Sequence, residues 1–267
     1  MYKALALDLD GTTLVGEDLP PANAAALRRA AQAGMHVIVA TARWIQMAER
    51  VAREVGVDGP AIACSGAQVR VLSSGQDVFD LRLPTAFTNE LYELCNSQRC
   101  IATVTVGEDV FLKLDGEPDA SLMSDEMTWV PQLALQSENL PRIAAIQGSK
   151  ICEIIKQELQ PKYADTVNVF DSIGPTGKLI LTITAKGADK GSALQAACSH
   201  LSIQPEEVVA FGDAENDLAM FRAAGLGVAM GQAEDDLKAA ADYVTLPNDQ
   251  DGVAVAVNRL LDTGQLP

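Results

Sequence analysis

Histidine is nearly missing from this 267-residue chain, with His36 and His200 as its two examples. A histidine-centred catalytic triad or a His-rich metal site is therefore poorly supplied. Five cysteines, Cys64, Cys95, Cys100, Cys152 and Cys198, make an odd number without a Cys-x-x-Cys pair. They indicate neither a disulfide framework nor a zinc site, and a reducing cytoplasm is the plain expectation. Basic residues are also scarce: 20 Lys and Arg against 36 Asp and Glu leave a net charge of −16. Such a surface argues against binding nucleic acid or anionic membranes, which calls for clustered positive charge. No apolar run approaches the roughly 20 residues of a membrane-spanning helix, and the opening Met-Tyr-Lys-Ala-Leu does not read as a secretory leader.

What is present is an ordinary globular composition, 48% hydrophobic, at a length that suits two domains of roughly 150 residues or fewer each. The first 80 or so residues alternate strand and helix signals, the pattern of a parallel sheet covered on both faces. Pro20 and Pro21 open an Ala-rich helix that Gly34 closes. Trp44, Met47, Ala48, Val51, Ala52 and Val55 recur at three- and four-residue steps, placing one apolar stripe on a helix that stops at Gly56. Short apolar runs over 4–7, 35–40 and 61–64 read as buried strands, followed by a hairpin around Ser73-Ser74-Gly75. From about residue 83 the texture changes to closely spaced strands expected to pair antiparallel, and 117–139 shows little periodicity. A helix is expected over 150–159. The first pattern resumes near 186. The expected organisation is an α/β protein with a Rossmann-like parallel-sheet core, 1–82 with 186–267, and a smaller α/β domain, 83–185, inserted into it.

Four clusters fall at strand ends or helix starts of the core: Asp8-Leu9-Asp10-Gly11-Thr12, Thr41-Ala42-Arg43, Lys190, and Asp213 with Asn216 and Asp217. In open α/β sheets the carboxyl ends of neighbouring parallel strands share one crevice. Carboxylates gathered there repel each other and resist burial unless a cation joins them. An all-oxygen environment suits a hard divalent ion such as Mg²⁺, and the ion then admits a phosphate. Lys190, free N–H groups of the turn after Asp10, and the donors of Thr12, Thr41 and Ala42 are expected to take phosphoryl oxygens. Phosphoryl transfer is the chemistry that such positioning and charge neutralisation serve.

These motifs resemble those of the haloacid dehalogenase superfamily of phosphatases, and within it the Cof-type group with a large inserted cap. The likeness runs the length of the chain: Asp8–Thr12, Thr41, Lys190 and Gly212–Asp217 stand where the group carries its four motifs. It implies that Asp8 attacks phosphorus and forms an aspartyl-phosphate, while Asp10 protonates the leaving oxygen and then deprotonates the attacking water. It also implies Mg²⁺ held by Asp8, the backbone carbonyl of Asp10, and Asp213, with Asp217 orienting the metal shell and Asn216 facing the phosphate or a metal water. Thr41 and Lys190 hold the phosphoryl group, and the cap closes over the crevice and selects the leaving group. The implied substrate is a small phosphorylated metabolite, a sugar phosphate or a phosphorylated cofactor, handled by a monomer or homodimer. Two positions depart from the group's pattern. Ala42 stands where glycine is frequent, and Ser65 precedes Gly66-Ala67 where asparagine is common.

Simpler readings exist for each residue. Asp8 and Asp10 could form a capped turn, Thr41 could cap a helix, and Lys190 alone reads as a solvated lysine. Arg43 divides evenly between a salt bridge and a substrate contact. His36 and His200 lie away from every motif. At the level of function, a phosphotransferase or phosphomutase of the same superfamily and a non-catalytic phosphate-binding regulator are the alternatives to a phosphatase.

Overall fold

The computed structural model describes residues 2–135, 139–173 and 179–266. The chain begins with β1 (Ala4–Asp8), α1 (Pro21–Gln32), β2 (His36–Ala40), α2 (Ile45–Val55), β3 (Pro60–Ala63), β4 (Gln68–Val71) and β5 (Gln76–Asp80). It continues with α3 (Thr85–Ser97), β6 (Ile101–Val106), β7 (Asp109–Lys113), β8 (Met127–Val130), β9 (Ile143–Gln147), α4 (Ser149–Ile154), α5 (Gln160–Lys162), β10 (Val167–Ile173) and β11 (Leu179–Ala185). The last part holds α6 (Lys190–Leu201), β12 (Val208–Gly212), α7 (Leu218–Ala223), β13 (Leu226–Ala229), α8 (Asp235–Ala240), β14 (Tyr243–Val244) and α9 (Gly252–Thr263). Two compact units result, one from Met1–Phe79 with Asp189–Pro267 and one from Asp80–Ala188.

The first unit is built on an eight-stranded sheet, ordered β14-β13-β12-β1-β2-β3-β4-β5. The strands from β14 to β3 are parallel, and β4 runs antiparallel to β3. β1 lies in the middle and all five of its residues are buried, as expected for a strand covered on both faces. Its register decides what meets at its carboxyl end. Asp8 pairs with Ala40, the residue before Thr41, and Leu7 pairs with Phe211, two residues before Asp213. Main-chain pairing alone thus delivers Asp8, Thr41 and Asp213 to one edge of the sheet. α2 keeps Ile45, Met47, Ala48, Val51, Ala52 and Val55 buried and ends at Gly56 in the left-handed region, φ 84°, a common helix stop.

The second unit carries a six-stranded sheet, ordered β10-β11-β9-β6-β7-β8, with α3 and α4 supplying Phe87, Leu91, Ile151 and Cys152 to its core. The expected antiparallel pairing holds for β10-β11, β11-β9, β9-β6 and β6-β7. β8, inside the stretch of weak periodicity, is a parallel partner of β7; its four residues show no alternation of buried and exposed positions. The single helix expected over 150–159 is α4, a π-helical stretch at Ile155–Leu159, and α5. Pro161, with no backbone N–H to donate, stands in α5 and favours such a departure from the α-helical ladder. No helix among the described residues is long and apolar enough to cross a membrane.

Candidate active site

The turn after β1 is wound around one carbonyl. Leu9 O accepts hydrogen bonds from the N–H groups of Thr12, Thr13 and Leu14 at 3.2, 3.0 and 2.9 Å. The expectation that Thr12 and Thr13 offer free N–H groups is therefore corrected: the tight turn spends them on its own closure. Their hydroxyls are also engaged. Thr13 Oγ1 donates to Asp8 O, and Thr12 Oγ1 donates to Asp213 Oδ1 at 3.0 Å across 201 residues of sequence. Gly11 makes this approach possible. Its φ is +76°, and a Cβ there would lie 2.2 Å from Asp213 Oδ2. Three amides from later in the fold brace the turn: fully buried Asn23 donates to Thr13 O, Asn248 to Leu14 O, and Gln232 to Gly11 O. Their signal in the sequence is nil, since isolated amides carry no periodicity.

Lys190 is 1% exposed and is the first residue of α6, whose start is capped by the Asp189 carboxylate accepting from Gly191 N and Ser192 N. Its ammonium donates to Asp8 Oδ1 and, at 2.7 Å, to Asp217 Oδ1. The other oxygen of fully buried Asp217 accepts from Asp213 N and Ala214 N at 3.0 and 3.2 Å. Asp217 is thus a strut that shapes the loop after β12 and anchors the lysine. The turn after β3 sets where Lys190 can stand. Gly66, φ +94°, lies so close to the main chain of Asp189 that a Cβ would come within 2.2 Å of it. Cys64 and Ser65 before it adopt left-handed φ of 53° and 54°, costly for side-chain-bearing residues and typical of functional turns. Their N–H groups donate to Arg43 O and Thr41 O, tying this turn to the one that carries Thr41.

Thr41 is fully buried, and its Oγ1 accepts from Arg43 N at 3.0 Å; Ala42 beside it is half-buried. Arg43 forms ion pairs: its Nε and NH2 donate to the two carboxylate oxygens of Asp10, and NH1 donates to Glu17 at 2.8 Å. Asp10, its side chain 41% exposed, is held by Arg43, and Asp8, Asp213 and Asp217 form the cluster without it. One carboxylate oxygen from each of those three lies within 4.8 Å of the others.

Electrostatics mark this cluster as short of positive charge. Burial pushes the Asp8 carboxyl well above the usual range; Lys190 opposes this, and Asp217 and Asp213 add to it. Burial with the Asp217 charge raises Asp213 to about 6. Burial pulls the Lys190 ammonium down, but Asp217 and Asp8 more than offset it, and its pKa is raised. Asn216 Oδ1 is buried without a hydrogen-bond partner, a costly state for a polar atom. Three desolvated carboxylates gathered within 4.8 Å of one another are the donor set of a hard divalent cation, so the residues present fit Mg²⁺.

The structure thus defines a Rossmann-like α/β scaffold with a buried lysine and a cation-type cluster of acids at the carboxyl ends of its parallel strands, where open α/β sheets bind their ligands. The sequence profile of haloacid dehalogenase-like hydrolases matches residues 5–257, and the chain belongs to that family. It is 29% identical over 257 residues to 5-amino-6-(5-phospho-D-ribitylamino)uracil phosphatase YcsE of Bacillus subtilis, covering 96% of this chain and 94% of that one. It is 28% identical over 272 residues to pyridoxal phosphate phosphatase YbhA of Escherichia coli, with 94% and 96% covered. A third relative, the chloroplastic endoribonuclease YBEY of Arabidopsis thaliana, is 27% identical over 94% of this chain, which spans 45% of that longer protein. Among solved structures, a haloacid dehalogenase-like hydrolase from Bacteroides thetaiotaomicron superposes with a TM-score of 0.83 at 27% identity, covering 97% of this chain and all of the other. The subclass IIB sugar phosphatase BT4131 gives 0.79 at 26% identity, with 97% and 98% covered.

Proposed function

We propose that the chain is a Mg²⁺-dependent phosphatase that hydrolyses phosphomonoesters of small metabolites through an aspartyl-phosphate on Asp8. The observation that carries this reading is the buried Lys190, bridging Asp8 and Asp217 beside Asp213. A lysine clamped between two acids fixes the direction of one carboxylate and partly neutralises it, which a phosphate-attacking group requires. The phosphatase names of YcsE, YbhA and BT4131 support the same chemistry.

Asp8, Asp213 and the Asp10 carbonyl would hold the Mg²⁺, with Asp217 orienting the metal shell; the ion would supply charge neutralisation to the acids and to the phosphoryl oxygens. An oxygen of Asp8 attacks phosphorus in line with the departing alkoxide, and the bond to that oxygen breaks as Asp10 delivers a proton to it. Asp10 then takes a proton from water; the resulting nucleophile attacks the aspartyl-phosphate, and Asp8 is regenerated with release of inorganic phosphate. Lys190, Thr41, the Ala42 N–H and Asn216 receive the phosphoryl oxygens. Thr12 is assigned a different task, holding Asp213 by its hydroxyl. Arg43 keeps Asp10 at one position and must cede one carboxylate oxygen for the proton to move. The inserted unit discriminates among leaving groups, with sugar phosphates and phosphorylated cofactors as the substrate class. The five cysteines, buried and none of them in a disulfide, suit a cytoplasmic location.

The test is a panel of phosphorylated metabolites incubated with purified protein and Mg²⁺. Release of free phosphate from single monoesters without an acceptor is expected, abolished by EDTA and restored by Mg²⁺ more fully than by Ca²⁺. Transfer to a second sugar without free phosphate would favour a phosphotransferase instead.

A further inference from the structure

The loop after β1 carries an acid, Glu17, that no step of the proposed hydrolysis uses, yet one side chain ties it to Asp10. Val15 N donates to Asp18 O at 3.0 Å and Asp18 N to Val15 O at 3.2 Å, closing a tight hairpin. Gly16, φ +62°, and Glu17 form its tip. That tip is fastened to α2: Arg50 NH2 donates to Glu17 O at 2.8 Å and lies 3.8 Å from Glu17 Oε2. From the other side Arg43 NH1 donates to both carboxylate oxygens of Glu17 at 2.8 Å. Arg43 is itself pinned along its main chain. Its N–H donates to Thr41 Oγ1 at 3.0 Å, and its carbonyl accepts from Cys64 N at 2.7 Å. One planar guanidinium thus has Asp10 on its Nε and NH2 and Glu17 on its NH1.

Resting on the reading of Asp10 as the group that moves the proton, we propose that Glu17 is a positioning residue for that step: it keeps Arg43 in place while Asp10 gives up one of the two oxygens that the arginine holds. Both oxygens of Asp10 are engaged by Arg43. An oxygen that is to carry a proton to the leaving group has to turn away from the N–H it now accepts. An arginine side chain has many rotamers to lose when it is fixed, so without a second anchor it follows the carboxylate or swings into solvent. Glu17 is that anchor. With NH1 held, the loss of one bond to Asp10 leaves the guanidinium plane where it was, ready to take the oxygen back.

Exposed ion pairs contribute little to stability as a rule, and the Glu17 side chain is 60% exposed. Its role is therefore in direction rather than in holding the fold together. Both acids that Arg43 grips come from the one loop after β1, while Arg43 precedes α2 and Arg50 lies within it. Hairpin tip, helix and Asp10 are in this way braced through a single guanidinium. A carboxamide at position 17 keeps the size of the side chain and removes the charge-assisted bonds to NH1, which are the strong ones.

Kinetics on full-length Glu17→Gln and Glu17→Asp with Mg²⁺ test this, using an alkyl monoester from the substrate panel and p-nitrophenyl phosphate. For the alkyl ester, Glu17→Gln is expected to lower kcat roughly 3- to 10-fold, a fraction of what a positioned acid–base group supplies, with KM unchanged. Glu17→Asp keeps the charge and is expected to recover part of the loss. Nitrophenolate needs no proton to leave. Its release in a single turnover, with enzyme in excess, is therefore expected at the wild-type rate in Glu17→Gln. In an Arg43→Ala background Glu17→Gln is expected to add nothing, because its effect passes through the arginine. The proposal is overturned if Glu17→Gln leaves kcat for the alkyl ester unchanged or raises KM alone. It is equally overturned if single-turnover release of nitrophenolate slows as much as the alkyl reaction, or if the loss recurs in full without Arg43. Wild-type protein that releases no phosphate from either ester would overturn the reading of the site and this proposal with it, a failure distinct from the others.

Discussion

Arg43 holds Asp10 by both carboxylate oxygens, Nε to Oδ2 at 3.0 Å and NH2 to Oδ1 at 2.5 Å. The same guanidinium reaches Glu17 with NH1, so one side chain spans two acids of the loop that follows β1. A two-pronged Arg–carboxylate pair fixes orientation as well as charge. Arg43→Ala is therefore expected to lower kcat by roughly 10- to 100-fold, part of what a positioned general acid supplies, with a smaller change in KM. Arg43→Lys restores charge without the planar fork and is expected to recover only part of the loss. Steady-state kinetics on both variants checks this.

Lys190 is buried among acids, and its removal strands them. Lys190→Met is expected to destabilise the metal-free protein at pH 8 by about 3–5 kcal/mol, the usual cost of leaving a buried charge without its partner. The loss shrinks at pH 5. Burial already holds the Asp8 carboxyl well above its ordinary value, so in acid it takes a proton and needs no counter-charge. Urea titrations at the two pH values measure the difference.

Asp213 makes the opposite prediction for stability. Burial and the Asp217 charge raise its carboxyl from 3.8 to about 6. A group raised on folding binds its proton more tightly in the native state, so its contribution is complete below the unfolded value and is lost as pH rises through the folded one. Metal-free protein is thus expected to lose stability between about pH 4 and pH 6 through this group. Asp213→Asn removes that loss and is expected to melt at a higher temperature than the parent at pH 8 without metal. Added Mg²⁺ raises the Tm of the parent and leaves the variant unchanged. Thermal scans with and without Mg²⁺ at pH 5 and pH 8 read both effects.

The alternation of apolar runs with Pro-opened and Gly-closed helices was enough to read the parallel core, because a central strand such as β1 is buried on both faces. The resemblance of the short motifs at Asp8, Thr41, Lys190 and Asp213 to one family supplied the candidate chemistry. Three things were illegible. The closure of the Thr12–Leu14 N–H groups on Leu9 O depends on turn geometry that residue types do not specify. The grip of Arg43 on Asp10 joins positions 33 residues apart, and an arginine after a strand pairs with an acid or with a ligand equally well on sequence grounds. β8 is not legible because the burial of Met127–Val130 does not alternate, leaving no period-2 pattern to read.

The covalent role of Asp8 is tested most directly by stopping turnover in acid and locating phosphate on the protein. Wild-type enzyme is mixed with p-nitrophenyl phosphate and Mg²⁺, quenched in acid within milliseconds, digested and examined by mass spectrometry. One phosphoryl group on Asp8 is expected, absent from Asp8→Asn, which is also expected to show no turnover while keeping its fold by circular dichroism. Phosphate found on another residue, or hydrolysis persisting in Asp8→Asn, would contradict the assignment.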